Sequence, residues 1–260
     1  MLTLRNPHSV LAILATRPED VAEVRLPGGK GAGAWERVAS EARRLGRPVR
    51  VTSTGEDRGH DRGHERGRDR GQRERGRPGG RPQQGGRVGT AEAYVDERQP
   101  TVIEALFEGR ETGGLWLALD QVQDPHNVGA IFRTAAFFGV RGIIMTDVRA
   151  ASLTAVVYDV ASGGVEGVPF AVEKNLRRAL EAAKRAGVWI LGTSEHATRD
   201  VSEVPVDRPW LLVVGNEESG LRRLTLETCD EVCRVTPRGD DVTSLNVSVA
   251  TGILIAALSR

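Results

Sequence analysis

From about residue 114 onward, apolar and polar positions follow two alternating rhythms. Short, nearly continuous apolar runs occur at "LWLALD", "GIIMTD", "GVWILGTS", "PWLLVVGN" and "EVCRVTP". Between and after them lie stretches with apolar residues three or four apart, "VGAIFRTAAFFG", "KNLRRALEAAKRAG" and the run from Val247 to Leu258. Uninterrupted apolar strands alternating with helices predict a parallel sheet covered on both faces, an α/β architecture. The first 54 residues show the same alternation on a smaller scale. "NPHSVLAILATRPEDV" has helical periodicity with Ser9 as its start signal, "VAEVRLP" is a strand, "AWERVASEARRLG" is a helix ended by Gly46, and "PVRVTS" is another strand.

Between the two patterned regions the rhythm stops. The tract Glu56 to Arg87, "EDRGHDRGHERGRDRGQRERGRPGGRPQQGGR", has no aliphatic or aromatic side chain. It cannot bury a core and is expected to be disordered. It holds ten Arg against six Asp plus Glu. Arg-Gly-rich segments attract RNA phosphate, while a solvated spacer partly neutralised by its own acids is the plainer reading. His60 and His64 read as polar filler in it. "VGTAEAYVDERQPTVIEALFEG" then resumes globular composition, so the tract is expected to interrupt the first domain. The expected domains are residues 1–105, with an insertion at about 55–87, and residues 113–260.

Composition narrows the function classes. The 260 residues are 39% apolar, enough for a substantial core, and the net charge of +1 confines any nucleic-acid affinity to local patches. The two cysteines, Cys229 and Cys233, lack the second pair or nearby His of a zinc site and are expected to be reduced, on one helix or at its end. Their scarcity fits a cytoplasmic protein. The N-terminal apolar run is broken by Pro18 and has no cleavage pattern, so it does not read as a signal peptide. The C-terminal apolar run falls short of the roughly 20 residues a membrane span requires. It carries Ser248, Thr251 and Gly252, and reads as a core helix rather than a membrane anchor.

Ligands of parallel α/β sheets gather at the carboxyl ends of the strands. Four strand ends here carry polar loops. After "LWLALD" comes "QVQDPHNVGAIFRT", where Pro125 stops an early helix, Asn127 can cap and Gly129 permits close approach. Arg133 follows on the second turn; read alone, it is equally a surface arginine. After "PWLLVV" comes Gly215-Asn216-Glu217-Glu218-Ser219-Gly220, a tight loop with backbone amides to offer, or simply a turn. After "GVWILG" come Thr193, Ser194 and Glu195, and after "EVCRV" the polar "TPRGDDVTSLNVS". That last stretch crowds Ser244, Asn246 and Ser248 into one helix start, more polar groups than a cap requires. His8, His126 and His196 read as surface or loop residues. Phosphate-loop, dinucleotide, zinc-peptidase and nucleophile-elbow motifs are missing, and "GGKGAGAW" reads as a loop.

Three stretches, in order, resemble the three motifs of the SpoU/TrmH group of RNA ribose 2′-O-methyltransferases of the SPOUT superfamily. They are Asn127-x-Gly129-x-x-x-Arg133-Thr134, Gly215-x-Glu217-x-x-Gly220 and Ser244-Leu245-Asn246-Val247-Ser248, and the likeness spans Leu115 to Arg260. The N-terminal unit resembles, more weakly, the L30e-like RNA-binding domain that often precedes this catalytic domain, chiefly through "NPHSVLAIL". The Arg-Gly tract departs from that pattern. The resemblance implies a C-terminal trefoil knot, a homodimer, an rRNA or tRNA substrate with rRNA guanosine favoured, S-adenosylmethionine as methyl donor, and no metal. It places the adenine on backbone groups of Gly215, Val235 and Leu245, with Thr193 and Gly220 in the same pocket. One residue inserted before Pro237 sets Val235 apart from the family pattern. Arg133 takes the central catalytic role, with Asn127, Glu217, Asn246 and Ser244 around it. Electrostatic stabilisation suits Arg133 better than a role as base, because guanidinium stays protonated. Asn127 would orient Arg133 or the ribose, and Glu217 would pair with an arginine or a ribose hydroxyl. The alternatives are an inactive RNA-binding or ribosome-assembly protein on the same fold, and a nucleotide-binding oxidoreductase, which the missing dinucleotide fingerprint disfavours.

Overall fold

The computed structural model of the chain describes residues 1–28, 33–52, 90–108, 113–146, 153–216, 219–242 and 244–260. The Arg-Gly tract with His60 and His64 lies outside these residues, as does Glu217.

The N-terminal unit contains β1 (Leu2–Leu4), α1 (Pro7–Thr16), β2 (Val21–Pro27), α2 (Ala34–Arg44), β3 (Val49–Thr52) and β4 (Glu92–Val95). Its strands form a mixed sheet in the order β1-β4-β2-β3, in which β4 runs antiparallel to both neighbours. The helix α1 starts differently from the sequence expectation. Asn6, not Ser9, caps it by accepting from His8 N at 2.9 Å, and Pro7 takes the first turn, where a missing N–H costs nothing. Ser9 is buried one turn further on. Gly46 ends α2 with φ of 69°, the left-handed geometry that only glycine adopts freely.

The larger unit contains β5 (Leu115–Leu119), α3 (Pro125–Phe137), β6 (Gly142–Thr146), α4 (Ala155–Ala161), α5 (Gly164–Gly167), β7 (Phe170–Glu173), α6 (Leu176–Arg185), β8 (Trp189–Thr193), β9 (Arg199–Asp200), β10 (Trp210–Val214), α7 (Arg223–Thr228), β11 (Glu231–Arg234) and α8 (Val247–Leu258). All seven strands are parallel, in the order β7-β6-β5-β10-β8-β11-β9. Every residue of β5, β6 and β10 is buried, as continuous apolar runs covered on both faces require. Side chains on one face, Leu117, Ile143 and Leu212 among them, pack with α3 and α8, while Trp116, Ile144 and Leu211 on the other pack with α6. The first cluster runs on without a break into Leu4, Val10 and Ile13 of the N-terminal unit.

Pro125 does not stop the helix that follows β5. It opens it, behind Asp124, which caps by accepting from His126 N at 2.9 Å. Asn127 is therefore a buried third helical residue rather than a cap. Gly129 acts as expected: a Cβ there would lie 2.7 Å from Val160 Cβ and 2.8 Å from Val157 O, so its absence lets α4 close onto α3. Cys229 caps the end of α7, while Cys233 lies buried in β11 rather than on a helix. No described helix is long and apolar enough to cross a membrane.

Candidate active site

The strand order reverses direction around β5 and β10, and polar residues collect at the carboxyl ends of those strands and of β8 and β11. Asp120, next after β5, is 2% exposed and bonds its backbone N to Val214 O at 2.8 Å. Its carboxylate receives Arg222 Nη2 at 3.0 Å and Nε at 3.3 Å. Gln121 follows with φ of 62°, a left-handed conformation uncommon outside glycine. Its N–H donates to Thr146 Oγ1 at 3.0 Å and its carbonyl accepts Asn216 Nδ2 at 3.0 Å. Asn216 Oδ1 in turn accepts Ser219 N at 3.2 Å. Both ends of the loop after β10 are thus tied to the end of β5.

That loop can close only around glycine. A Cβ at Gly215 would sit 2.3 Å from Gly220 C and 2.5 Å from Leu221 N, both backbone atoms. Gly220 has φ of 63° and donates to Asn216 O at 3.0 Å. The result is a close approach of the two ends of the loop, next to the strand that pairs with β8. At the end of β8, Thr193, half-buried, donates from Oγ1 to Val213 O at 3.0 Å, and Ser194 N bonds Cys233 O at 3.1 Å. Val235, half-buried, follows β11 in the neighbouring position. The next residue is anchored from β9: Asp200 accepts Ser202 Oγ at 2.6 Å, Thr236 N at 3.0 Å and Ser202 N at 2.9 Å, and these bonds hold its carboxyl well below the usual carboxylate range. Leu245 is 48% exposed just ahead of α8. Backbone donors and acceptors flanked by partly open apolar side chains suit a planar heteroaromatic ring, with apolar faces and a polar edge.

The crowded start of α8 resolves into distinct tasks. Asn246 caps the helix, its Oδ1 accepting Ser248 N at 2.9 Å and Ser248 Oγ at 2.6 Å. Its Nδ2 faces the other way and donates to Asn127 Oδ1 at 3.0 Å, tying α8 to α3. Ser244 is exposed beside it. Arg133, two turns along α3 from Asn127, is also exposed, and its guanidinium has no carboxylate partner among the described residues. Asn127 therefore meets Asn246 across the two helices.

The profile of the SpoU rRNA Methylase family matches residues 114–256, more than half of the chain. The chain belongs to the SpoU rRNA methylase family. Among its relatives, the 23S rRNA (guanosine-2′-O-)-methyltransferase RlmB of Nitrosomonas europaea is 42% identical over 167 residues, 64% of this chain and 64% of that protein. The RlmB of Bordetella pertussis is 34% identical over 249 residues, 95% of this chain and 92% of that one. The chain thus spans slightly less than two thirds of the first of these relatives. The SpoU methyltransferase AviRb from Streptomyces viridochromogenes, solved with its cofactor AdoMet, superposes with a TM-score of 0.74 at 18% identity, covering 99% of this chain and 89% of that one. The likeness establishes that the two share a fold. Two of the SpoU motif stretches are joined directly, by the Asn246–Asn127 bond. Missed in the sequence were the groups behind them, Asp120, Gln121, Asn216 and Arg222. One signal was available, an acid closing an otherwise apolar strand in "LWLALD".

Proposed function

We propose that the chain transfers a methyl group from S-adenosylmethionine to a ribose 2′-hydroxyl of RNA, with rRNA guanosine as the favoured substrate. What supports this reading is the family match over residues 114–256 together with the Asn246–Asn127 bond, which joins two of the motif stretches. The relatives named above are 23S rRNA guanosine-2′-O-methyltransferases, which supports the choice of substrate.

In this reading the backbone of Gly215, Val235 and Leu245 holds the adenine, with Thr193 and Gly220 shaping the pocket. When bound, the sulfonium supplies an activated methyl group and a neutral leaving group, so the chain's own task is to position and activate the hydroxyl. A ribose hydroxyl is a poor nucleophile until its proton departs. Arg133 places a permanent positive charge where alkoxide character develops, and its planar donors also fit a phosphate of the RNA. Asn246, held by its cap and by Asn127, fixes the RNA side together with Ser244 and Glu217. The N-terminal unit, of L30e-like type over residues 1–105, adds RNA contacts. Threading of the chain between β11 and α8 into a knot belongs to the same reading, and the family kinship supports it. So does a cytoplasmic location, where RNA of this kind is made.

The working unit is a homodimer. Its support is apolar surface left open on the neighbouring helices α3 and α8, which meet at ordinary contact distance where Gly252 faces Thr134. Phe137, Val249 and Ile253 remain exposed on these helices. The deciding experiment is transfer from labelled S-adenosylmethionine to total RNA of a strain lacking the gene. Incorporation that disappears with Arg133→Ala establishes the activity, and nuclease mapping names the nucleotide. Absence of both S-adenosylmethionine binding and methyl transfer would overturn it in favour of an RNA-binding protein.

A further inference from the structure

The N-terminal unit does not hang from a linker. It is bolted to the short turn between α4 and α5, and that turn lies directly against the backbone of Arg133.

Glu166 of α5 is 4% exposed, and Arg17, at the end of α1, is 11% exposed. The two form a fork: Arg17 Nη2 reaches Oε1 at 2.9 Å and Nε reaches Oε2 at 3.1 Å. Burial opposes the charge on Arg17, but Glu166 and Asp20 outweigh that opposition, and its pKa is raised. A fork of this kind fixes angle as well as distance, because both groups are planar. Arg98, in the segment that joins the two units, adds to the attachment. It donates through Nη1 to Val165 O and Val168 O, and through its backbone N to Tyr158 Oη at 2.8 Å. At the other end of α1, the Asp159 carboxylate accepts the backbone N of Asn6 at 2.9 Å.

Two glycines show how closely the turn is held. A Cβ at Gly163, whose φ is 95°, would lie 3.1 Å from Ala12 Cβ on α1. A Cβ at Gly164 would lie 2.8 Å from both N and Cα of Arg133. Consecutive residues therefore touch the N-terminal unit on one side and the Arg133 backbone on the other, with Glu166 clamping the turn two residues later.

We propose that Glu166 is a positioning residue: through Arg17 it holds the N-terminal unit at one fixed distance and angle from Arg133, so that RNA gripped by that unit meets the reacting site in register. The proposal rests on the methyltransferase reading above for its kinetic consequence, but its structural core is independent of it.

The test places spin labels on cysteines introduced at Arg43 and Arg185, exposed positions in the two units. Labelling near pH 7 spares the native thiols, which burial pushes up to about 11 for Cys229 and about 12 for Cys233. Double electron–electron resonance on the full chain is then compared with Glu166→Gln and Glu166→Asp. The expected result is one narrow distance in the parent, a broad distribution in Glu166→Gln, and recovery in Glu166→Asp. In parallel, kcat/KM for total RNA falls roughly tenfold in Glu166→Gln while affinity for S-adenosylmethionine is unchanged, since misplacement alone costs rate. If Glu166→Gln fails to fold, Arg17→Lys, which keeps the charge and loses the fork, is read the same way. A broad distribution in the parent, or a narrow one in both parent and variant, overturns the proposal. A parent that holds one distance yet neither binds S-adenosylmethionine nor methylates RNA refutes the methyltransferase reading and leaves the positioning result standing.

Discussion

Asn246 Nδ2 donates to Asn127 Oδ1 at 3.0 Å, while the other end of the same amide caps α8 through Ser248 N. One side chain thus serves stability and site geometry through different atoms, and substitution can separate them. Asn246→Asp keeps an oxygen for the cap, and Asp caps about as well as Asn, so unfolding free energy should stay within about 0.5 kcal/mol of the parent. It has no N–H for Asn127, and methyl transfer should fall at least about tenfold. Asn246→Ala should lose both, with about 1 kcal/mol of stability. Thermal denaturation beside initial rates distinguishes the cases. A fully active Asp variant would show that only the cap matters.

Arg133 is exposed and makes no described ion pair, so the fold does not depend on its charge. Arg133→Ala should leave stability within about 0.5 kcal/mol. The same change should lower kcat by about a hundred- to a thousandfold, the usual consequence of losing a preorganised charge at a developing anion. Arg133→Lys keeps the charge without the planar fork and should recover only part of the rate. A rate reduced in proportion to lost folded protein would mean Arg133 is an ordinary surface residue.

At Gly215 a methyl group would have to occupy space 2.3 Å from Gly220 C. Neither backbone segment can yield, because Asn216 is tied to Gln121 and Arg222 to Asp120. Gly215→Ala should therefore deform the loop and weaken S-adenosylmethionine binding at least about tenfold, about 1.4 kcal/mol. Gly239 has open space around its Cα. Gly239→Ala is the matched control and should bind as the parent does. Calorimetric titration reads both.

The strands β5, β6 and β10 were legible in the sequence because cover on both faces makes them nearly continuous apolar runs, and β8 and β11 also lie where apolar runs placed them, although β11 carries Glu231 and Arg234. The strands β7 and β9 were not, since four and two residues at the sheet edges leave no periodicity to detect. The helices α4 and α5 were missed because "AVVYDVA" and "GVEG" are too short to show a period. Helix starts were misplaced at Ser9 and Asn127. The true caps, Asn6 and Asp124, each precede a proline in the first turn, and at Pro125 that proline was read as a barrier. The motif residues themselves stood out as polar groups at strand ends. Asp120 and Glu166 did not, because a buried carboxylate and an exposed one look alike until their arginines are located in space.

On α8, Val249 and Ile253 lie one turn apart and remain exposed, and Phe137 at the end of α3 is 83% exposed. Covering such side chains with a second copy contributes about 25 cal/mol for each Å² of apolar surface removed from water. Ile253→Asp puts a charge into the proposed dimer contact at a partly exposed position. It should shift the species seen by light scattering after size exclusion from twice the chain mass to the chain mass, with the monomer's folded spectrum intact. A parent protein of single chain mass at micromolar concentration would remove the dimer from the scheme.

The two cysteines give a pH prediction with a definite sign. Burial pushes the thiols up to about 11 at Cys229 and about 12 at Cys233. In the unfolded chain both ionise near the usual value of about 8.5. Below that pH neither state loses a proton, and the burial contribution is fully present. Above it the unfolded chain ionises first, so stability should fall progressively as pH rises from about 8.5 toward the folded values. Denaturant melts between pH 7 and 10 should show a midpoint that declines in the parent and declines less in Cys229→Ala/Cys233→Ala. The same ordering governs reactivity, because only thiolate attacks disulfide reagents. At pH 8 the native protein should react slowly with an aromatic disulfide, and the unfolded chain at once. Rapid modification of the native protein would mean that the strand and helix end around these residues open readily, and the stability difference should then vanish as well.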